Sequence, residues 1–436
     1  MNTRKEKVAV VGIGYVGLPV ACIFAEQGFK TVGIDLIRER VEMVNRGLCP
    51  IGGEEPGLAE LLKDVVDDSL LSASTDMSSI SDADLVVVCV DTPVGDDKKP
   101  TLSNLKGAVD AIASNMKGGA LISIESTIPP GTMERMVIPS MEEVSGKRAG
   151  IDFFVVHCPE RVMPGRLLAN LREYKRVLGG LDETSLSKAT YYYSTFVEDD
   201  IIPTTLVNAE ICKTGENAYR DVQIAFANEM ALICEDLGAD VFAVRDLINS
   251  CPFRDMHIPG SGVGGYCLPK DSWLLLGNVE NDVAKIIRNA RLVNEYMPSH
   301  LAGLAMKALN HVGIMDTGVK VAIMGLSFIR DSDDTRNSPA LKVIEELPDT
   351  FTVLVHDPYV TGYDGLEVSD NAAKVLKDAD CAIFVTDHSC YSRLDLDSIL
   401  KDMRTPIIID GRNIFDAEEL AEKGFSYYGL GKGRKA

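Results

Sequence analysis

The feature that most narrows the folds open to this chain lies at its start. Residues 7–11 are an apolar, β-branched run that feeds directly into Gly12-Ile-Gly-Tyr-Val-Gly17 and then into a helical pattern ending at Gly28. Strand, glycine turn and helix follow one another without a gap. A second apolar run, residues 31–35, ends in the carboxylate of Asp35, eighteen residues after Gly17. That spacing predicts a dinucleotide-binding βαβ unit. Gly12, Gly14 and Gly17, with Tyr15 and Val16 between them, bring backbone to a pyrophosphate at the helix N-terminus, and Asp35 accepts a ribose diol. The acid favours NAD over NADP because a 2′-phosphate would meet its charge, while Arg38 and Arg40 stand near enough in sequence to receive one.

Three further buried runs, residues 84–90, 120–125 and 153–157, read as parallel strands. Each hands over to polar residues: Thr92 after the first, Thr127 after the second, Glu160 and Arg161 after the third. Any one of these taken singly is explained by ordinary turn and cap chemistry. Their recurrence at the C-terminal ends of three strands points to the place where open α/β sheets bind ligands.

Residues 206–237 then form one long helical pattern stopped by Gly238, and Lys213 and Asn217 sit four apart on one face, with Arg220 and Asp221 a turn later. That polar stripe is either the wet side of the helix or a functional face. Helices expected at 241–250, 272–278 and 283–310 complete an all-helical middle. The last third returns to α/β: strands at 320–325, 352–357, 381–386 and 406–410, with Ser338-Pro339 opening a helix. Only Gly325 remains there of any glycine fingerprint, so this second nucleotide-type sheet is expected to hold a different ligand. Residues 431–436 are expected to fray.

A chain of 436 residues is long enough for two or three cores. Its net charge of −21 selects against a nucleic-acid partner, because phosphate backbones need basic surfaces. An anionic substrate would need a local positive site built from particular arginines and lysines. The N-terminus shows neither a signal peptide nor a spanning helix, so no membrane partner is expected. Ten cysteines without CxxC or Cys/His spacing imply reduced thiols in a cytoplasm, and no metal site.

One of those cysteines stands apart. Gly260-Ser-Gly-Val-Gly-Gly-Tyr-Cys-Leu-Pro-Lys-Asp271 places Cys267 in a loop with four glycines in its first six positions. Such a loop lets backbone approach a ligand closely, and Lys270 and Asp271 supply a cation and a carboxylate within a turn of the thiol. A neighbouring ammonium would favour the reactive thiolate. A Gly-rich turn with a small buried cysteine is the plainer alternative.

Six stretches together are similar to the UDP-glucose/GDP-mannose dehydrogenase family: residues 12–19, 126–132, 158–165, 213–217, 262–271 and 333–339, in the family's order and spanning nearly the whole chain. The resemblance implies an α/β protein with two Rossmann-like doubly wound parallel-sheet domains joined by a central helical domain with a long spine helix. The expected boundaries are 1–205 for an NAD-binding domain, 206–312 for a helical dimerisation domain and 313–436 for a UDP-sugar-binding domain. It implies NAD as cofactor, a UDP-sugar as substrate, and a homodimer through the central helix.

The activity implied is a four-electron oxidation of a sugar C6 alcohol to the carboxylate, with Cys267 trapping the aldehyde as a thiohemiacetal and then a thioester. Lys213 and Asn217 would stabilise oxyanions, Glu160 and Asp271 would handle water and protons, and Thr127 would order a water near the nicotinamide. Arg336 would lie near the cofactor, together with Arg40 and Thr92. The anionic substrate would be met by Arg161, Val162, Arg220, Arg254, Gly264 and Arg412, alongside Lys213 and Asn217. Many members carry a lysine after the phenylalanine that follows the third-domain strand; this chain has Phe328-Ile329, and Arg330 stands in for that cation. Segment 159–165 is more similar to members acting on UDP-N-acetylhexosamines than to those acting on UDP-glucose. The N-acetyl-D-mannosamine substrate is expected ahead of its gluco epimer. A two-electron hydroxyacid-type dehydrogenase and a non-catalytic nucleotide-sugar sensor are the competing classes.

Overall fold

The computed structural model describes residues 4–52, 55–163, 165–280, 283–314 and 318–433. The chain divides into two compact units, Met1–Glu216 with Trp273–Glu280, and Asn217–Ser272 with Asn281–Ala436. Two of the three divisions fall within the helices Leu206–Leu237 and Leu268–Leu276.

The first unit is built on eight strands: β1 (Lys7–Val11), β2 (Lys30–Ile34), β3 (Leu71–Ser74), β4 (Leu85–Val88), β5 (Leu121–Ile124), β6 (Phe154–His157), β7 (Arg176–Gly180) and β8 (Ile201–Thr205). Their order is β3-β2-β1-β4-β5-β6-β7-β8, parallel throughout except where β7 runs against β6. The first six strands in this order are the doubly wound arrangement, whose reversal beside β1 opens a crevice at the C-terminal strand ends. Period-two alternation splits β1 between two cores: Val8 and Val10 face one, Ala9 and Val11 the other. Burial on both faces explains why the strands read as unbroken apolar runs. The pair β7 and β8 was not legible in sequence. Gly179-Gly180 ends one and Pro203 interrupts the other, and proline is tolerated there because β8 is the sheet edge.

The second unit contains most of the helical part and a six-stranded sheet: β9 (Lys320–Met324), β10 (Thr352–His356), β11 (Val368–Ser369), β12 (Cys381–Phe384), β13 (Ile407–Asp410) and β14 (Ser426–Gly429). All pairs are parallel, in the order β11-β10-β9-β12-β13-β14, so the winding of the first sheet is repeated. Ser338 caps the helix Pro339–Glu346 by accepting from the N–H of Ala340, with proline at the first helical position where no donor is missed. The spine helix is Leu206–Leu237, as expected. The helix expected at 272–278 instead begins at Leu268, which makes Cys267 the residue at its N-terminus.

The C-terminal segment does not fray where it is described. Leu430 is buried in the helical core with Ala227, Ala231 and Val241. The N–H of Gly431 donates to Glu235 at 2.7 Å, and its carbonyl accepts from Val241 at 2.9 Å. Gly433 N–H reaches the carbonyl of Ala239, and residues 434–436 lie outside the described residues. A polar composition suggested solvent, but backbone donors and acceptors decide the matter, and sequence does not reveal their partners. Among the described residues no helix is long and apolar enough to cross a membrane.

Candidate active site

In the first unit the glycine turn after β1 makes a cradle. Gly12 has φ of 87°, and a Cβ there would lie 2.6 Å from the carbonyl oxygen of Cys89. A Cβ on Gly17 would lie 1.9 Å from the carbonyl oxygen of Gly12. These two positions are closed by strand and helix packing, whereas around Gly14 the nearest atom to a Cβ is Arg40 Nη1 at 4.0 Å. The open side at Gly14 and the N-terminus of the helix Gly17–Glu26 suit a pyrophosphate. Tyr15 and Val16 pack half-buried against the core beneath. Asp35 stands just past the end of β2. Its Oδ2 accepts from the N–H of Ile13 at 3.1 Å and from Arg40 at 2.8 Å, and its Oδ1 from the N–H of Ile37 at 2.9 Å. Arg40 therefore compensates the acid instead of standing ready for a 2′-phosphate. The donor set fits an NAD ribose.

The loops after β4 and β5 are tied together. Thr92 donates its hydroxyl to the carbonyl of Thr127 at 2.6 Å, and Ser126 donates to Val90 at 2.7 Å. Glu210, on the spine helix, holds the continuation of that loop by accepting from the N–H of Gly131 at 2.6 Å and of Met133 at 2.8 Å. Sequence inspection missed Glu210; the signal available was a carboxylate in the first turns of a helix, three residues before Lys213. Glu160 and Arg161 follow β6 with Val162 packed against the core. Arg161 is drawn to Glu216, to Cys212 Sγ at 3.2 Å and to the carbonyl of Lys175 at 3.3 Å.

The polar stripe is not the wet side of the spine helix. Lys213 is 8% exposed and Asp221 is 0% exposed, while Arg220 faces solvent. Among the described residues Lys213 makes no ion pair or hydrogen bond, and its ammonium tip keeps access to solvent although most of the side chain is buried.

In the second unit Cys267 is exposed, and its carbonyl accepts from the N–H groups of Lys270 at 3.1 Å and Asp271 at 2.8 Å as the helix begins. The helix N-terminus carries partial positive charge, which favours a thiolate at that position. The Lys270 ammonium lies 4.3 Å from the centroid of the Tyr266 ring and 3.9 Å from Asp271. Asp271 is 1% exposed and accepts from Nδ2 of Asn217 at 2.5 Å. Gly264 lies against Phe328, where a Cβ would come within 2.4 Å of the phenylalanine Cβ. Gly265 donates to the carbonyl of Arg336 at 2.7 Å and accepts from Asn337 at 2.9 Å. The thiol loop is thus fastened to the segment carrying Arg336, whose guanidinium pairs with Asp334 at 2.5 Å.

At the C-terminal ends of the second sheet Arg330 and Arg412 converge on Asp387, at 3.8 and 3.0 Å. Arg254 is separate, exposed, and donates to the carbonyl of Phe253 at 3.3 Å. His388, missed in sequence, is buried. One ring nitrogen lies 3.2 Å from Asp357 and 3.1 Å from the Ser327 hydroxyl, and the other accepts from the N–H of Asp331 at 3.0 Å. Burial would raise the Asp357 carboxyl, but hydrogen bonds from His388 and from the backbone of Ser327 and Tyr359 outweigh it and hold it down to about 2.

A glycine cradle closed by an acid on one doubly wound sheet, and a second such sheet with converging arginines, define a dinucleotide-dependent oxidoreductase with two nucleotide-binding ends. Residues 6–197 match the NAD binding domain of the UDP-glucose/GDP-mannose dehydrogenase family, 207–296 its central domain and 322–417 its UDP binding domain. The chain belongs to that family and is an NAD-dependent nucleotide-sugar dehydrogenase. It is 42% identical over 430 residues to the UDP-N-acetyl-D-mannosamine dehydrogenase of Pyrococcus horikoshii, covering 98% of this chain and 99% of that one. A solved structure of the UDP-D-ManNAc dehydrogenase from Pyrococcus horikoshii superposes with a TM-score of 0.90 at 40% identity, over 98% of this chain and 99% of that one. An NDP-N-acetyl-D-galactosaminuronic acid dehydrogenase structure from Methanosarcina mazei Go1 gives 0.89 at 40% identity, over 98% and 95%.

Proposed function

We propose that the chain oxidises C6 of UDP-N-acetyl-D-mannosamine from alcohol to carboxylate, in two oxidations on one active thiol. The observation that carries this is the placement of Cys267: exposed, at a helix N-terminus, in a glycine loop fastened on both sides. NAD, when bound, supplies the acceptor for the hydride lost in each oxidation. Gly12, Gly14, Tyr15, Val16, Gly17, Asp35 and Arg40 hold it, with Thr92, Thr127 and Arg336 as further contacts. Cys267 Sγ adds to the C6 aldehyde and keeps it from escaping; the resulting thiohemiacetal loses hydride to give a thioester. Water then cleaves the C–S bond, releasing the acid and restoring the thiol. Lys213 supports each oxyanion with an ammonium that no side chain of the described residues pairs, and Asn217 has a second amide N–H to add. Glu160, Asp271 and Thr127 manage the water and the protons.

Residues 1–205, 206–312 and 313–436 divide the work into cofactor binding, helical assembly and UDP-sugar binding. Arg161, Arg220, Arg254, Arg330 and Arg412 answer the diphosphate and sugar, and Val162 and Gly264 give backbone and apolar contact. The ten cysteines are all free, which supports a cytoplasmic enzyme. Tyr219, Phe226 and Ile233, spaced by seven on the spine helix and 67%, 52% and 43% exposed, support a homodimer through that helix.

The M. mazei likeness supports a second reading, in which the substrate is the galacto isomer, which differs from the manno sugar at C2 and C4. Turnover of a panel of UDP-sugars differing at C2 and C4, with NADH counted per sugar, tests both. Two NADH and a uronate from the manno compound are expected. One NADH with a carbonyl product overturns the thiol chemistry, and preference for another epimer reassigns the substrate.

A further inference from the structure

Both ends of the Cys267 loop are held from one face of the spine helix. At its start, Gly260 donates its N–H to Oδ1 of Asn228 at 2.9 Å. At its end, Ser272 donates its hydroxyl to Oδ2 of Asp221 at 3.3 Å, next to the Asn217–Asp271 bond. Asn217, Asp221 and Asn228 follow one another at intervals of four and seven residues, so they share a helix face. Asn294, on the helix Lys285–His311, closes the circuit: its Nδ2 donates to the carbonyl of Asp221 at 2.9 Å and to Oδ1 at 2.8 Å, while its Oδ1 accepts from Asn228 at 2.9 Å. Arg291 donates to the same Asp221 oxygen at 2.6 Å. Asp221, Asn228, Ser272, Arg291 and Asn294 are each no more than 1% exposed.

A buried ion pair of this kind gains little stability over well-packed apolar side chains, because desolvation consumes most of its attraction. What apolar residues cannot do is bind a guanidinium, an amide and a hydroxyl at once and relay that hold to two points of a loop. The loop itself is rich in glycine and has few side chains to lock its path, so its anchor points decide where the sulfur lies.

We propose that Asp221, Asn228 and Asn294 are positioning residues that fix both ends of the thiol loop and so set the placement of Cys267 Sγ. The inference rests on the Cys267 chemistry proposed above.

Its test compares the full chain with Cys267→Ser, Asn228→Ala and Ser272→Ala, using UDP-N-acetyl-D-mannosamine and NAD. For Asn228→Ala, kcat falls about 10- to 100-fold, since misplacement of a reacting group by an ångström costs about that much, while KM for the UDP-sugar stays within about threefold. NADH per sugar drops below two as aldehyde escapes capture. Ser272→Ala removes one long bond from an intact core and shows the same pattern at about two- to tenfold, which keeps the test decisive if Asn228→Ala does not fold. Folded variants that keep kcat within about twofold and still give two NADH overturn the inference, as does a loss falling wholly on KM. Unimpaired turnover by Cys267→Ser removes the thiol chemistry and the inference with it. An inactive Cys267→Ser beside normal Asn228→Ala and Ser272→Ala removes the inference alone.

Discussion

Asn217 Nδ2 lies 2.5 Å from Asp271 Oδ2, so the amide expected to serve an oxyanion also fastens a carboxylate four residues beyond the thiol. Asn217→Ala should lower kcat by about 10²–10³-fold, the usual effect of removing one preorganised donor. Asn217→Asp should do the same and also unfold more easily, by about 1–3 kcal/mol, because it sets a second carboxylate against the buried Asp271. Steady-state kinetics and urea unfolding of the two variants check this.

Asp35 accepts from two backbone N–H groups and from Arg40. Asp35→Ala should weaken NAD binding by about 10- to 100-fold, the equivalent of one charged hydrogen bond of about 1.5–3 kcal/mol. It also releases the Arg40 guanidinium, so the ratio of NADP to NAD activity should rise. Calorimetric titration with each cofactor measures both effects, and an unchanged ratio would show that Arg40 is not the discriminating cation.

Acid should destabilise the two units in different ranges. His157 is buried with Nδ1 against the carbonyl of Ile124, and burial pushes its pKa down from 6.5 to about 4 against the pull of that bond. The unfolded chain binds a proton below pH 6.5 and the folded unit does not, so stability present at neutral pH is lost on going from 6.5 toward 4, by about 3 kcal/mol. His157→Gln should flatten that limb in urea titrations. For Asp357, with its carboxyl at about 2 in the folded unit, the contribution is intact above pH 3.8 and vanishes as pH falls through 2. It amounts to about 2 kcal/mol, and Asp357→Asn should abolish it.

The homodimer proposed through the spine helix predicts that replacing Tyr219 and Phe226 together by glutamate halves the mass seen by light scattering, since two charges would enter its apolar stripe. Both side chains are more than half exposed in the single chain, so its own fold should keep its melting temperature.

Much of the site could be found by inspection because its residues are bound to local patterns. Gly12, Gly14, Gly17 and Asp35 belong to one βαβ unit whose spacing is fixed by strand and helix lengths. Cys267 declares itself through the glycines before it. Glu210 and His388 were missed because each acts on a backbone segment far away in sequence, at 77–79 and 57 residues. Lys270 was expected to turn to the thiol, and its ammonium lies over Tyr266 beside Asp271. The stripe from Lys213 to Asp221 left two possibilities, wet face or functional face, and burial excludes the first at Lys213 and Asp221.

Sequence by itself determined the central strands of both sheets, the spine helix, the glycine turn with its acid and the family, since each rests on periodicity or on residues close together in the chain, while β3, β7, β8, β11 and β14 escaped it. Only the tertiary structure decided which polar groups are buried and whom they bind: Asp221 with Arg291 and Asn294, Asn217 with Asp271, Glu235 with the C-terminal Gly431. The reason is that a polar side chain has the same letter in water or in a core. Its partner is fixed by which distant segment packs against it.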